Sequence, residues 1–123
     1  MPTNAAPAGP THELPGARFT TLASPATGST ESSVWRLELD PGNEPVTHQV
    51  TREEVIVALA GRAVATLGPA TVAVGPGDTI VVPAGVDFAL AADAGPFTAL
   101  AVLPVGGQAV VGDGAPFTPP WAQ

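Results

Sequence analysis

Residues Gly42–Gly61 read GNEPVTHQVTREEVIVALAG, and residues Gly77–Gly85 read GDTIVVPAG. Both are short runs of Val, Ile, Leu and Thr fenced by glycine or proline, the pattern of strands punctuated by turns. In the first, Val46–Val50 is extended, Glu54–Ala60 is a strand, and Gly61-Arg62 makes a tight connection to Ala63–Leu67, which reads as a hairpin. In the second, Thr79–Val82 is apolar without alternation, which predicts a strand buried on both faces, and Pro83-Ala84-Gly85 ends it.

The same rhythm continues outward. In Ser33–Leu39, Trp35, Leu37 and Leu39 share one face while Arg36 and Glu38 share the other, so one side meets a core and the other meets water. Asp40-Pro41-Gly42-Asn43 and Gly68-Pro69 supply turns, the latter leading into Ala70–Val74. Val86–Ala91 and Phe97–Leu103 are further strands, with Phe19–Leu22 and Gln108–Val111 as weaker ones. About nine or ten strands predict an all-β jelly-roll sandwich or barrel. Residues 1–17 read as a flexible Pro/Ala-rich arm, 18–112 as the barrel, and 113–123 as a tail rich in proline and aromatic residues. A tail containing Phe117 and Trp121 must dock. Its own barrel, an outer sheet face and a second subunit are all open to it.

Composition narrows the function. The 123 residues suit one domain, and 14 glycines with 15 prolines leave no room for a helical bundle. A net charge of −7, with Arg18, Arg36, Arg52 and Arg62 as the entire basic complement, argues against nucleic acid and anionic membranes as partners. The chain has no cysteine and no leader-like apolar stretch near Met1, so a cytoplasmic location is the expectation. There is no Gly-x-Ser-x-Gly elbow and no dinucleotide fingerprint, because Gly75-Pro76-Gly77 precedes a strand. Absence of Tyr and Lys removes a tyrosine acid and a Schiff-base lysine.

With these residues in view, the chain resembles the cupins, a family with a double-stranded β-helix of jelly-roll type. Their first motif is Gly, five residues, His-x-His, three or four residues, Glu, six residues, Gly; here Gly42, His48, Glu54 and Gly61 match. Their second is Gly, five residues, Pro-x-Gly, two residues, His, three residues, Asn; here Gly77, Pro83 and Gly85 match. The resemblance runs from about Val34 to Val102. It implies a metal held by two His and the Glu of motif one and the His of motif two. Val50 and Phe88 stand at two of those positions, and Ala92 replaces the Asn. An isopropyl or phenyl group donates no lone pair, so the expectation is no tightly bound metal and no cofactor. Gln49 and Asp87 alternate to the opposite face and His12 lies in the arm, so a rebuilt site would need a partner chain or a frame shift through a β-bulge.

Family-like strand pairing would turn His48 and Glu54 into the barrel, lined by Val50, Ile56, Ala58, Phe88 and Leu90, with Trp35 as core or wall. Burial would raise the Glu54 pKa, and attraction to His48 would oppose that rise. Three functions follow. The first is a small-molecule pocket catalysing isomerisation, cyclisation or elimination through His48 and Glu54. The second is a non-catalytic binding or structural cupin, in which the pair satisfy one another or face solvent at the pocket mouth. The third is the metal-dependent oxygenase or isomerase chemistry commoner in the family. A homodimer is also expected, because open jelly rolls leave edges to cover and small cupins resemble one another in pairing sheet to sheet.

Overall fold

The computed structural model describes residues 3–123, so Met1 and Pro2 of the expected arm lie outside it. Eleven strands and two single-turn 3₁₀ segments make up the regular structure. One layer is a six-stranded antiparallel sheet of β1 (His12–Leu14), β2 (Ala17–Ala23), β3 (Ser32–Leu39), β10 (Phe97–Pro104), β5 (Glu54–Ala60) and β8 (Thr79–Val82), in that spatial order. The second layer is built from two pieces. One is the three-stranded sheet of β7 (Ala70–Val74), β6 (Ala63–Leu67) and β9 (Phe88–Ala92), and the other is the short pair β11 (Ala109–Val110) and β4 (Gln49–Val50). An antiparallel bridge between His48 and Phe88 joins the pieces, and a second bridge, Ala109 to Phe117, carries the layer into the C-terminal segment. This is the jelly-roll sandwich the punctuation foretold, with strands whose inner faces meet in one core.

Alternation decides which side chains enter that core. β3 and β10 follow it along their length, burying Trp35, Leu37 and Leu39 on one strand and Phe97, Ala99, Ala101 and Leu103 on the other. Two expectations need correction. Residues 1–17 are not arm throughout, because His12–Leu14 pair with Ala17–Phe19 of β2, and Ala17 is buried; backbone pairing supplies the order that side-chain pattern did not announce. Thr79–Val82 is not buried on both faces. Ile80 and Val82 point inward while Thr79 and Val81 are exposed, since among the described residues no further layer covers the outer face of the six-stranded sheet.

The β5–β6 hairpin turns on Gly61, whose φ of +77° suits glycine, and a Cβ there would overlap the carbonyl oxygen of Pro96. Gly42, also left-handed at φ +74°, has open space around it. The pair separates conformational strain from steric overlap. Gly42→Ala should cost about 1 kcal/mol, the strain of a left-handed alanine, whereas Gly61→Ala should cost at least about 2 kcal/mol because strand β10 must also shift. Equal midpoint shifts for the two variants in urea unfolding would refute that assignment.

Candidate functional site

The two layers meet tightly at one end and enclose a cavity of about 460 Å³ at the other. Its long wall comes from the six-stranded sheet, through Phe19, Trp35, Leu37, Glu54, Ile56 and Leu103 among others. Facing them are His48, Val50, Phe88 and Leu90 from the second layer. Leu14 and Pro15 close it from the N-terminal side, Val111, Phe117, Pro119 and Trp121 from the C-terminal side. Leu14, Val46, Val111 and Phe117 are large apolar side chains that are also exposed, so the rim is apolar as well as the interior.

The C-terminal segment docks on its own barrel. Trp121 stacks flat on Phe19, with ring centroids 3.6 Å apart and planes 5° from parallel, and meets Trp35 edge-on at 6.5 Å. Thr21 Oγ1 donates to the Trp121 carbonyl at 2.8 Å, and the buried Ser33 hydroxyl donates to the Ala122 carbonyl at 2.9 Å. These bonds fix the single turn Pro120–Ala122 against β2 and β3.

Glu54 begins β5, where alternation turns its side chain inward with Ile56 and Ala58. It is 5% exposed. Among the described residues its carboxyl accepts no hydrogen bond and forms no ion pair, although it borders the cavity. Desolvation therefore acts on it unopposed and pushes its pKa up to about 7. His48 is half-buried and placed by the backbone bridge to Phe88, His48 N–H to Phe88 O at 2.9 Å and the reverse at 2.8 Å. Its ring meets the Phe88 ring edge-on at 5.6 Å, and Nδ1 lies 2.9 Å from the Val46 carbonyl. A carbonyl only accepts, so Nδ1 carries the proton, and in the neutral ring Nε2 keeps its lone pair.

The expected pocket residues Trp35, Val50, Ile56, Phe88 and Leu90 all line the cavity beside His48 and Glu54. Ala58 does not. It is buried one step further along β5, paired with Ala99 where the layers are filled, and its methyl does not reach the cavity. Nor do His48 and Glu54 satisfy one another: they border one space without an ion pair between them. Phe19, Phe117, Trp121 and Leu14 were missed as wall residues. Only the aromatic tail offered a signal, and it left the docking place open.

The metal site implied by the cupin motifs does not fit these residues. Val50 and Phe88 occupy two donor positions with hydrocarbon, and Gln49 and Asp87 bond each other at 3.0 Å. Among the described residues no group of three or more His, Asp or Glu side chains is gathered as a metal would need. Asn43 commits its amide to the backbone of β9, donating to Leu90 O at 3.2 Å and accepting from Ala92 N at 2.8 Å. What remains is a carboxyl and an imidazole in an apolar chamber. Such a site can hold a small molecule away from water and exchange protons with it.

The family model Cupin_2, described as "Cupin domain", matches residues 35–103. Among solved structures, the polyketide cyclase RemF from Streptomyces resistomycificus aligns with a TM-score of 0.71 at 21% identity, over 81% of this chain and 73% of that one. A DMSP lyase structure, of the pair RdDddP and RnDddQII, gives 0.70 at 22% identity over 79% of this chain and 53% of that one. A single-site mutant of the salicylate 1,2-dioxygenase from Pseudoaminobacter salicylatoxidans gives 0.71 at 19% identity, over 82% of this chain and 32% of that one. The chain thus spans about half of the lyase and a third of the dioxygenase, and at these identities the likeness is one of fold. No curated protein matches the sequence.

The raised Glu54 pKa has a measurable consequence. The folded state holds this proton up to about pH 7, whereas the unfolded chain releases it near the ordinary value of 4.5. Between those limits the native state binds more protons, so the contribution of Glu54 to stability is present at low pH and is lost as pH rises through about 7. Glu54→Gln cannot ionise. Relative to wild type, the variant should gain stability from about pH 5 to about pH 8, by as much as about 3 kcal/mol. Parallel denaturation curves at the two pH values check this, and a difference that does not change with pH would contradict it.

Proposed function

The chain belongs to the Cupin_2 family of cupin domains, and from that premise we propose that it binds a small organic molecule in the barrel cavity and transfers protons on it with Glu54 and His48, without a resident metal. One observation carries the reading: an unpartnered carboxyl, 5% exposed, borders an apolar chamber and holds its proton to about pH 7. A carboxylic acid that stays protonated near neutrality can serve as a general acid, and the free Nε2 of His48 can serve as a base across the same space.

The simplest step is enolisation. Nε2 of His48 takes a proton from a carbon beside a carbonyl, and the C–H electron pair becomes the new C=C bond. The carbonyl π pair meanwhile takes the Glu54 proton to give the enol hydroxyl. Protonation at another carbon then gives isomerisation, attack on a second carbonyl gives cyclisation, and expulsion of a neighbouring leaving group gives elimination. Cyclisation is the activity in the name of RemF, and lyase chemistry that of the DMSP lyases. These names keep both outcomes within the fold's range, and no more than that.

We also propose that the outer face of the six-stranded sheet pairs with a second copy. Val34, Val102, Val55 and Val81 form one cross-strand row there, with Leu100 and Val57 beside it. Six strands about 4.8 Å apart, from 3 to 8 residues long, present a face of about 600 Å², of the order of the roughly 800 Å² per partner of a standard interface. Sedimentation at micromolar concentration should give twice the 12.2 kDa chain mass, and Val81→Glu should return the monomer. A wild-type monomer would remove the proposal.

Deuterium exchange of an uncharged aromatic ketone, 1-tetralone, tests the chemistry. Wild-type protein in D₂O should speed exchange at the carbon beside the carbonyl, the rate should be unchanged by a chelator, and it should decline above about pH 7 as Glu54 ionises. Glu54→Gln and His48→Ala should each lower it by about 10²–10⁴ while the circular dichroism spectrum stays that of the wild type. Exchange at the buffer rate in the wild type, with tetralone demonstrably bound, would leave a binding protein instead.

A further inference from the structure

Both tryptophans and three of the four phenylalanines border the cavity: Trp35, Trp121, Phe19, Phe88 and Phe117, with Phe97 alone in the filled core. The chain has no tyrosine, so five of its six aromatic side chains surround one space. Packing alone does not demand this. The filled end of the barrel is closed with alanine, valine and isoleucine around that one phenylalanine. Rings gathered around a space offer stacked and edge-on contacts that a flat ligand can use and a puckered aliphatic chain cannot.

Charge narrows the class further. None of the four arginines borders the cavity, and Arg18 is engaged with Glu38 and Asp40. Among the described residues, the ionisable groups that do border it are the acids Glu44 and Glu54 and the imidazole of His48. A carboxylate, sulfonate or phosphate would enter facing two acids and no arginine. Beyond the exposed Glu44, a cation would have to shed its own hydration and force Glu54 to ionise in the apolar chamber, an ion pair in which both members are desolvated. Polar capacity is also small: the Asn43 amide is taken by Leu90 and Ala92, which leaves the Glu54 carboxyl, the His48 ring and the buried, partnerless Nε1 of Trp121. Sugars and other polyols would lose water at each hydroxyl and find partners for only a few of them.

We propose that the occupant is an uncharged molecule on a flat aromatic or fused-ring frame, of about three rings, with one hydrogen-bonding oxygen that meets Glu54. This rests on the reading of the cavity as a small-molecule site and names what that site selects.

Because both tryptophans border the cavity, their fluorescence reports its occupation directly. The probes are 1-hydroxyanthraquinone, anthraquinone-2-sulfonate, 9-(methylaminomethyl)anthracene and cyclododecanone: neutral and flat, anionic and flat, cationic and flat, neutral and not flat. Titration should quench both tryptophans with 1-hydroxyanthraquinone, at least about tenfold more tightly than with each of the others. Phe117→Ala, which removes an exposed ring, should weaken that binding severalfold while leaving the unfolding midpoint near that of the wild type. Preferential binding of the anion, the cation or cyclododecanone would overturn the ligand class while preserving a small-molecule site. If calorimetry and fluorescence show no binding of any probe, the class and the reading of the cavity fall together.

Discussion

Two backbone hydrogen bonds between His48 and Phe88 hold the second layer of the sandwich in one piece. On one side of them lies the β7-β6-β9 sheet, and on the other β4 and β11, two residues each. A ladder that short has no independent stability, so the pair depends on being continued into β9. The Ala109 to Phe117 bridge then continues the layer to the segment that ends in Trp121. The imidazole, the phenyl ring beside it and the aromatic wall from the C-terminal segment are therefore positioned by one run of backbone pairing. That run is also the side of the cavity opposite Glu54.

The inner faces explain why there is a cavity at all. Along β5 the inward series is Glu54, Ile56, Ala58, and the step from Ile56 to Ala58 passes from open chamber to filled core. At the filled end Ala58, Ala63, Ala65 and Ala99 are all but completely buried, and Phe97 occupies the space between layers that methyl groups leave. At the other end five aromatic rings and several leucines stand around the space without filling it. An isolated polar group in such surroundings is costly. Glu54 lowers that cost by keeping its proton, and the property that burdens the fold is the one on which the proposed proton transfer depends.

The sequence told unevenly of this arrangement, for physical reasons. Glycine and proline punctuation is local, so the strands around Gly61, Gly77 and Pro83 were legible, as was the inward placement of His48 and Glu54. Five of the six expected lining residues border the cavity, because β-strand alternation fixes the face a side chain takes. Alternation does not fix depth, which is why Ala58 was placed in the wall. Phe19 and Trp121 stack across about a hundred residues of chain, and nothing in either neighbourhood names the other. β1 was hidden for the same reason: His12-Glu13-Leu14 carries no strand pattern of its own and is ordered by its partner β2. At Thr79–Val82 a run of apolar types concealed an exposed outer face, which is a property of the assembled sheet.

The same carboxyl means different things in different company. In the cupin motif that this chain resembles, the Glu stands among three imidazoles, and a cation would hold it ionised as a ligand. Here Val50 and Phe88 have taken two of those places, and the third, His48, directs one ring nitrogen to the Val46 carbonyl. With no ion pair and no hydrogen bond made to it among the described residues, the equilibrium at position 54 reverses, and the favoured form close to neutrality is the neutral acid. Two hydrocarbon side chains thereby do more than delete a metal site. They set the dielectric that keeps the proton on Glu54, and they provide part of the apolar wall against which an uncharged ligand would lie. The departures from the motif and the chemistry proposed for the pocket have a common cause, the exchange of donors for hydrocarbon around a carboxyl that stayed.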